Sequence, residues 1–321
     1  MTEWPNHDAA WREWRTAMAG ARMHHGWLLA GKEGVGKLDF AYAAARELIS
    51  QGGVEGPEDH PDIITVTYSA KDDKAERAQA DGKPFELSKL IRERDIGRMQ
   101  RRLQTRPTLG SRRVIIVQPA DDMNTHAANK LLKSLEEPPE GTFFMLVTHR
   151  PARLLPTIRS RCRVLRFPTL TDLQLEEMLK TQGATATDAA REAAIHAAEG
   201  SYGAALRFAE QDLAPIAGLI RNLISAGDPK LTLRSDLAKM IGPRADRERL
   251  QAVMELAQAI VAEAARSTES NAHRAGLVEC HAELVTLAAQ APNYNFDTGL
   301  LTLEIGTLLM RAAPASERAH G

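Results

Sequence analysis

The sequence predicts an α/β domain built on a parallel sheet with helices on both faces, then a small helical domain and an all-α C-terminal domain. Three observations carry that prediction. Apolar runs of strand length alternate with helix-forming stretches through the first half of the chain. A glycine-rich loop joins the first apolar run to the first long helix-forming stretch. After Phe167 the strand signals stop while helical periodicity continues. At 321 residues the chain exceeds what one hydrophobic core usually holds, and these changes of pattern set the expected boundaries at 1–168, 169–212 and 213–321.

The elements follow in order. "GWLLA" (Gly26–Ala30) is a short apolar run that ends in the loop, and "LDFAYAAARELI" (Leu38–Ile49) is rich in helix formers. "HPDIITVTY" (His60–Tyr68) is β-branched and reads as a strand. "KDDKAERAQADGKP" (Lys71–Pro84) is charged and nearly free of large apolar residues, which predicts an exposed, mobile insertion. "RRVIIV" (Arg112–Val117) and "TFFMLVT" (Thr142–Thr148) are continuous apolar runs of the kind buried parallel strands show, and "RVLRF" (Arg163–Phe167) is a weaker third.

Beyond Phe167, Thr171 and Gln174 form a capping-box pattern. Gly200 is placed to end one helix and Ser201 to cap the next. Ile216, Leu219, Ile220, Leu223 and Ile224 share one helical face, as do Val253, Leu256, Ala257, Ile260 and Val261.

Composition narrows the class. The chain is 43% hydrophobic, 26% charged and only 5% aromatic, as in an ordinary soluble protein. A net charge of −1 argues against a wholesale nucleic-acid coat. No apolar run reaches the ~18 residues a membrane span needs, and the first twenty residues carry acids and tryptophans, unlike a signal peptide. Two cysteines far apart, Cys162 and Cys280, suggest a reducing compartment and exclude an all-protein four-cysteine zinc site. The expected location is the cytoplasm.

The loop "LLAGKEGVGKLDF" (Leu28–Phe40) almost spells a phosphate-binding loop, with Gly31, Gly34, Gly36 and Lys37 as candidate nucleotide-binding residues. In a working loop, backbone N–H groups and the helix N-terminus hold phosphate, and the lysine reaches the terminal phosphates. The next residue should carry a hydroxyl for Mg²⁺, and here it is Leu38. A second metal-site acid should follow a buried strand. The strand "VIIV" instead runs into Gln118 and Pro119. Asp121 and Asp122 read as helix-start acids, with Asn124 a capping candidate. Two independent failures at one expected metal site argue for a nucleotide site that has lost its motor chemistry.

The most specific text is "ANKLLKSLEEPP" followed by "LLPTIRSRC". Ala127, Ala128, Leu131, Leu132 and Leu135 form one helical face, and Pro138 and Pro139 end that helix. With the opening loop and the helical C-terminal half, these motifs resemble the clamp-loader branch of the AAA+ family over nearly the whole chain. Within that branch the missing metal ligands point to the delta-prime family of bacterial DNA polymerase III subunits. The family's motor members keep a Thr or Ser after the loop lysine and an acidic pair after the strand.

The resemblance implies an AAA+ P-loop domain, a helical lid and a collar through which subunits oligomerise. It implies a non-motor subunit of the complex that loads the sliding clamp onto primed DNA, inactive alone but part of a DNA polymerase III holoenzyme. Its partners would be the motor (gamma/tau) subunits and the delta subunit, with the sliding clamp and primer–template DNA reached through the complex. In the matching motif Ser160, Arg161 and Cys162, Arg161 would act as an arginine finger in trans on a neighbour's ATP. Such a finger stabilises charge on the transferring phosphoryl group. The alternative is that Arg161 pairs with a local carboxylate. Cys162 reads as a small packed residue. "GSYGAAL" (Gly200–Leu206) resembles the lid segment, with Gly203 where motor members place an arginine.

Many family members carry a four-cysteine zinc module before the second strand. This chain has no cysteine there, so no zinc is expected and no cofactor is required. Residual ATP or ADP binding is left open, as is the fold of residues 50–95. From Arg92 to Arg113 eight arginines face two acids. Arg94, Arg98, Arg101 and Arg102 fall at roughly helical spacing and resemble a region lining the DNA, where contacts would be to the backbone. A solvated helix face or an intersubunit surface explains the same charge.

The four tryptophans, at 4, 11, 14 and 27, read as packing anchors, and His24 and His25 have no metal-ligand partners at recognisable spacing. "NYNFD" (Asn293–Asp297) resembles the start of the last collar helix. Two other classes compete with the non-motor subunit. A catalytically active AAA+ motor is opposed by Leu38, Gln118 and Pro119. A DNA-binding adaptor unrelated to clamp loading leaves the Ser-Arg-Cys motif without a purpose.

Overall fold

The computed structural model describes residues 4–20, 22–50, 60–181, 187–242, 245–290 and 297–314. Its contacts divide the chain into two compact units, Met1–Thr169 and Leu170–Gly321.

In the first unit, α1 (Asp8–Ala19) precedes β1 (Gly26–Ala30), the loop and α2 (Lys37–Ser50). Then come β2 (Ile63–Val66), α3 (Asp73–Ala80), α4 (Glu93–Leu103), β3 (Arg113–Val117), α5 (Thr125–Glu136), β4 (Thr142–Thr148), α6 (Pro156–Arg159) and β5 (Arg163–Arg166). The five strands form one parallel sheet in the order β2-β3-β4-β1-β5. Two apolar layers explain the continuous hydrophobic runs, because successive strand residues point to opposite faces and both faces are covered. Trp27, Leu29, Val114, Ile116, Met145 and Val147 pack with Trp14, Phe40, Ala44 and Leu48 of α1 and α2. Leu28, Ile115, Val117, Phe144 and Leu146 pack on the other face with Ile96, Leu131, Leu135 and Ile158 of α4, α5 and α6. The weaker apolar text of β5 fits its place at an edge, paired only with β1.

The charged stretch after β2 differs from expectation, because it carries a helix. Asp72 caps α3 by accepting the Ala75 N–H at 2.8 Å. An antiparallel bridge between Ala70 and Leu87 closes the excursion. Its few apolar residues carry no helical signal, and the ordering comes from a cap and from arginines of α4.

The second unit is helical throughout its described residues: α7 (Asp172–Thr181), α8 (Asp188–Ala198), α9 (Tyr202–Glu210), α10 (Ala214–Ala226), α11 (Thr232–Ile241), α12 (Arg247–Ser267), α13 (Asn271–Gln290) and α14 (Thr298–Arg311). The capping box at α7 is reciprocal, the Thr171 N–H donating to Gln174 Oε1 at 2.9 Å and the Gln174 N–H to Thr171 Oγ1 at 3.3 Å. Gly200, at φ 79°, separates α8 from α9, and Ser201 accepts the Ala204 N–H at 3.1 Å. Ile216, Ile220, Leu223 and Ile224 are buried, as is the whole predicted face of α12, while Leu219 is half-buried. Of the stretch expected to open the last helix, residues 293–296 lie outside the described residues. Asp297 caps α14 through the Leu300 N–H at 3.0 Å. Among the described residues no helix is long and apolar enough to cross a membrane.

Candidate nucleotide-loop and arginine sites

The loop between β1 and α2 brings Gly31, Gly34, Gly36 and Lys37 together at the C-terminal edge of the sheet. Glycine is required at Gly36 twice over. Its φ is 79°, and a Cβ there would come within 2.3 Å of the Trp4 indole. At Gly31 a Cβ would sit 2.4 Å from the Phe167 carbonyl oxygen, so the loop packs tightly on the end of β5.

Lys37 is buried, and its Nζ donates to the Gly31 carbonyl at 2.8 Å and to the Lys32 carbonyl at 2.5 Å. Burial lowers its pKa from 10.5 to about 8, against the opposing charges of Glu33 and Asp121. The two hydrogen bonds that its Nζ donates favour the ammonium. Leu38 packs against the apolar layer of α1 and α2. The position where a metal-binding hydroxyl would stand is thus half-buried against the core.

An N-terminal lid of aromatic and polar side chains covers this loop. Trp4 Nε1 donates to Asp39 Oδ2 at 2.8 Å, and its ring stacks on His7 at 5.4 Å. His7 Nε2 lies 2.8 Å from the Val35 carbonyl oxygen, and Asn6 donates to the Pro168 carbonyl at 2.8 Å. Burial lowers the His7 pKa, opposed mainly by its bond to Val35. Of the four tryptophans, Trp14 and Trp27 are buried core anchors and Trp11 packs against that core. Trp4 instead seats on the loop.

β3 runs into Gln118 and Pro119, joined by a cis peptide, and a single 3-10 turn (Ala120–Asp122) follows. The two acids there are more than helix-start residues. Asp121 is buried, accepts the His149 N–H at 3.0 Å and has Arg150 Nε 3.6 Å from its other oxygen. Burial alone would raise its pKa, but the His149 N–H helps hold it below the usual carboxylate range. Asp122 accepts the Tyr68 hydroxyl at 2.5 Å, and burial together with that carboxylate pushes the Tyr68 pKa up. Asn124 caps α5 as expected, accepting the Ala127 N–H at 2.8 Å.

His149, just after β4, was not a candidate from the sequence. Burial lowers its pKa first and the Lys37 charge second, against Glu33, Asp121 and Asp122. The available signal was the strand order. β4 lies beside β1, so its C-terminal end flanks the loop, where ligands of open α/β sheets bind. Strand order is not written in a local pattern. Among the described residues no group of three or more His, Cys, Asp or Glu side chains is placed to hold a metal ion.

Arg161 lies between α6 and β5, beside the start of β1 and so at the opposite edge of the sheet from the loop, and it is half-exposed. Its Nη2 lies 2.6 Å from Glu136 Oε1, and its Nη1 donates to the Thr157 carbonyl at 3.0 Å. Within this chain Arg161 therefore has a local carboxylate partner. Ser160 Oγ donates to the same Thr157 carbonyl at 3.1 Å. Burial pushes the Cys162 thiol up to about 12, which suits a packed residue and not a nucleophile.

Three of the four candidate DNA-contacting arginines are engaged locally. Arg94 donates to the Ala70 carbonyl, Arg98 to Glu76, and Arg102 to the Pro61 carbonyl at 2.8 Å. They tie α4 to the excursion containing α3 and to the start of β2. Arg101 is exposed, and its guanidinium meets no acceptor among the described residues. Arg113, from the same basic stretch, is buried and pairs with Asp62 at 3.5 Å.

The curated relatives compared are DNA polymerase III subunits, of the delta' and the tau/gamma kinds. A family model described as "DNA polymerase III, delta subunit" matches residues 6–171. The chain is 34% identical over 173 residues to DNA polymerase III subunit delta' of Pseudomonas aeruginosa, covering 50% of this chain and 47% of that one. It is 35% identical over 173 residues to subunit delta' of Bacillus subtilis, with the same coverage. The chain thus spans about half the length of these curated relatives. A crystal structure of a DNA polymerase III gamma subunit-related protein from Thermotoga maritima superposes with a TM-score of 0.52 at 17% identity, covering 95% of this chain and 99% of that one. At that identity the likeness speaks to fold alone.

Proposed function

This chain belongs to the DNA polymerase III delta-subunit family, and on that premise we propose that it is a delta-prime-type, non-motor subunit of a clamp loader. It serves as a fixed part of an AAA+ ring in the cytoplasm, beside motor (gamma/tau) subunits and a delta subunit. The assembly loads the sliding clamp onto primed DNA. The observation that carries the non-motor reading is Leu38, half-buried against the core where a hydroxyl would ligate Mg²⁺. Lys37 turned onto its own loop carbonyls supports the same reading.

Arg161 is the residue through which such a subunit influences catalysis. Half-exposed on the turn after α6, it reaches a neighbour's nucleotide and stabilises charge developing on the transferring phosphoryl group. Among the basic residues of α4, Arg101 is the best placed for the phosphate backbone, because Arg94, Arg98 and Arg102 already have partners.

Steady-state ATPase of the reconstituted complex, with clamp and primed DNA, tests this reading. Native protein and Arg161→Ala are compared, with the isolated chain as control. The expected result is no turnover by the isolated chain and a fall of about 10³-fold or more at the neighbouring site when Arg161 is lost. Turnover by the isolated chain that Lys37→Ala abolishes would make it a motor. An Arg161→Ala complex that assembles and hydrolyses normally would leave Arg161 a structural residue.

A further inference from the structure

We infer that Glu136 is the positioning residue for Arg161. The inference rests on the trans-acting reading of Arg161 given above. Glu136 is the last residue of α5, and Glu137 is its C-cap. A helix C-terminus carries partial negative charge, so two carboxylates there are locally unfavourable. The first turn of α5, where acids would be favoured, carries none. Helix stability therefore does not account for Glu136, whereas the 2.6 Å contact with Arg161 does.

The mount beneath Glu136 is firm. Leu135 is buried, and its carbonyl lies 2.8 Å from His25 Nε2, which fixes the end of α5 against the start of β1. On the other side, Ile158 is fully buried and anchors the short α6 that carries Thr157. Arg161 is held between these mounts, Nη2 on Glu136 and Nη1 on the Thr157 carbonyl. Two separate anchors fix the plane of the guanidinium. They leave donors over from the five N–H groups an arginine offers, enough for a phosphate oxygen.

Arg161 and Glu136 are 37% and 42% exposed. An ion pair this exposed is weak, so it orders a long side chain without competing strongly against a polyphosphate. Ordering the arginine beforehand removes part of the entropy cost that its neighbour would otherwise bear when the subunits meet. Glu136 touches no reacting atom in this scheme and acts only through Arg161.

The test uses the reconstituted complex with motor subunits, delta subunit, clamp and primed DNA, carrying Glu136→Ala, Glu136→Gln, Arg161→Ala or both alanine changes. Glu136→Ala is expected to lower ATPase kcat about three- to fivefold, the scale of an exposed pair, with KM for ATP unchanged within about twofold. Glu136→Gln should recover most of that loss, because its amide oxygen still accepts the Nη2 hydrogen. In the Arg161→Ala background Glu136→Ala should add nothing. Melting temperatures of the single variants should match the native chain.

Three results overturn the inference while sparing the trans-acting arginine. They are a Glu136→Ala complex as fast as native beside a crippled Arg161→Ala, a rate that rises on losing Glu136, and a loss that persists in the Arg161→Ala background. An Arg161→Ala complex that hydrolyses at the native rate overturns both readings together.

Discussion

Lys37→Met, followed across pH, tests how the loop lysine is held. The side chain is buried and its pKa falls from 10.5 to about 8, chiefly through burial. At about 1.36 kcal/mol per unit that is a cost of about 3 kcal/mol for carrying the proton in the folded state. The folded-state value lies below the unfolded one. Between pH 8 and 10.5 the unfolded chain therefore binds the proton that the folded chain has released, and stability rises with pH through that window. Below pH 8 the whole cost is present.

The native chain should gain about 2.5 kcal/mol from this group between pH 7 and pH 10, and Lys37→Met should lack the gain. The Cys162 and Cys280 thiols, both pushed up to about 12 by burial, pull the other way over part of this range. They are shared by both proteins and cancel in the difference. All four tryptophans lie in the first unit, Trp14 and Trp27 fully buried, so urea unfolding read by tryptophan fluorescence reports the relevant unit. With an m-value of about 2 kcal/mol per molar, the native midpoint should move about 1 M further than that of Lys37→Met between pH 7 and 10. Midpoints that shift in parallel would refute the reasoning. They would mean that the Gly31 and Lys32 carbonyls keep Lys37 charged at its ordinary pKa.

Asp62→Ala should be among the most damaging substitutions in the first unit. It orphans the Thr108 and Leu109 N–H groups, held at 2.7 and 2.9 Å, and leaves buried Arg113 without its carboxylate. A loss of about 3–5 kcal/mol, or roughly 10 °C in calorimetric Tm, is expected. Burial would raise the Asp62 pKa, but the Leu109 and Thr108 N–H groups and Arg113 outweigh it. Its contribution is therefore present above pH 3.8 and lost as pH falls through the lower folded value. Asn124→Ala should cost about 1 kcal/mol by removing the α5 cap, read as a midpoint shift in urea. Gly36→Ala should lower Tm through both its positive φ and the indole above it. In a Trp4→Ala background only the backbone part should remain, so an additive double mutant would show that Trp4 does not press on the loop.

Much of the helical text was legible because caps are local. Thr171 with Gln174, Ser201 and Asn124 each satisfy backbone N–H groups within three residues of themselves. The strands were legible for a related reason. A strand covered on both faces needs apolar residues at every position, and "VIIV" says so without reference to its neighbours. The excursion after β2 was not legible as a helix, since its order depends on Arg94 and Arg98, about twenty residues away in sequence. For the same reason the basic stretch looked freer than it is. Charge is visible in a sequence, but the acceptors that engage each arginine are not.

The sequence by itself determined the alternation of strand and helix, the glycine loop, and which residues stand at positions 38, 118 and 119: Leu38, Gln118 and Pro119. These are statements about single positions and short periods, and they do not depend on what packs against what. Tertiary structure alone decided that Lys37 binds its own loop, that Trp4 covers Gly36, that Asp121 meets the His149 N–H, and that Glu136 holds Arg161. Apart from the Lys37 contacts within its own loop, each of these joins segments whose separation in the chain says nothing about distance. The first three form because a parallel sheet in the order β2-β3-β4-β1-β5 brings the C-terminal ends of β3, β4 and β1 side by side, where buried polar groups must find partners, and the last because the same sheet sets the end of α5 and the turn after α6 together at its opposite edge.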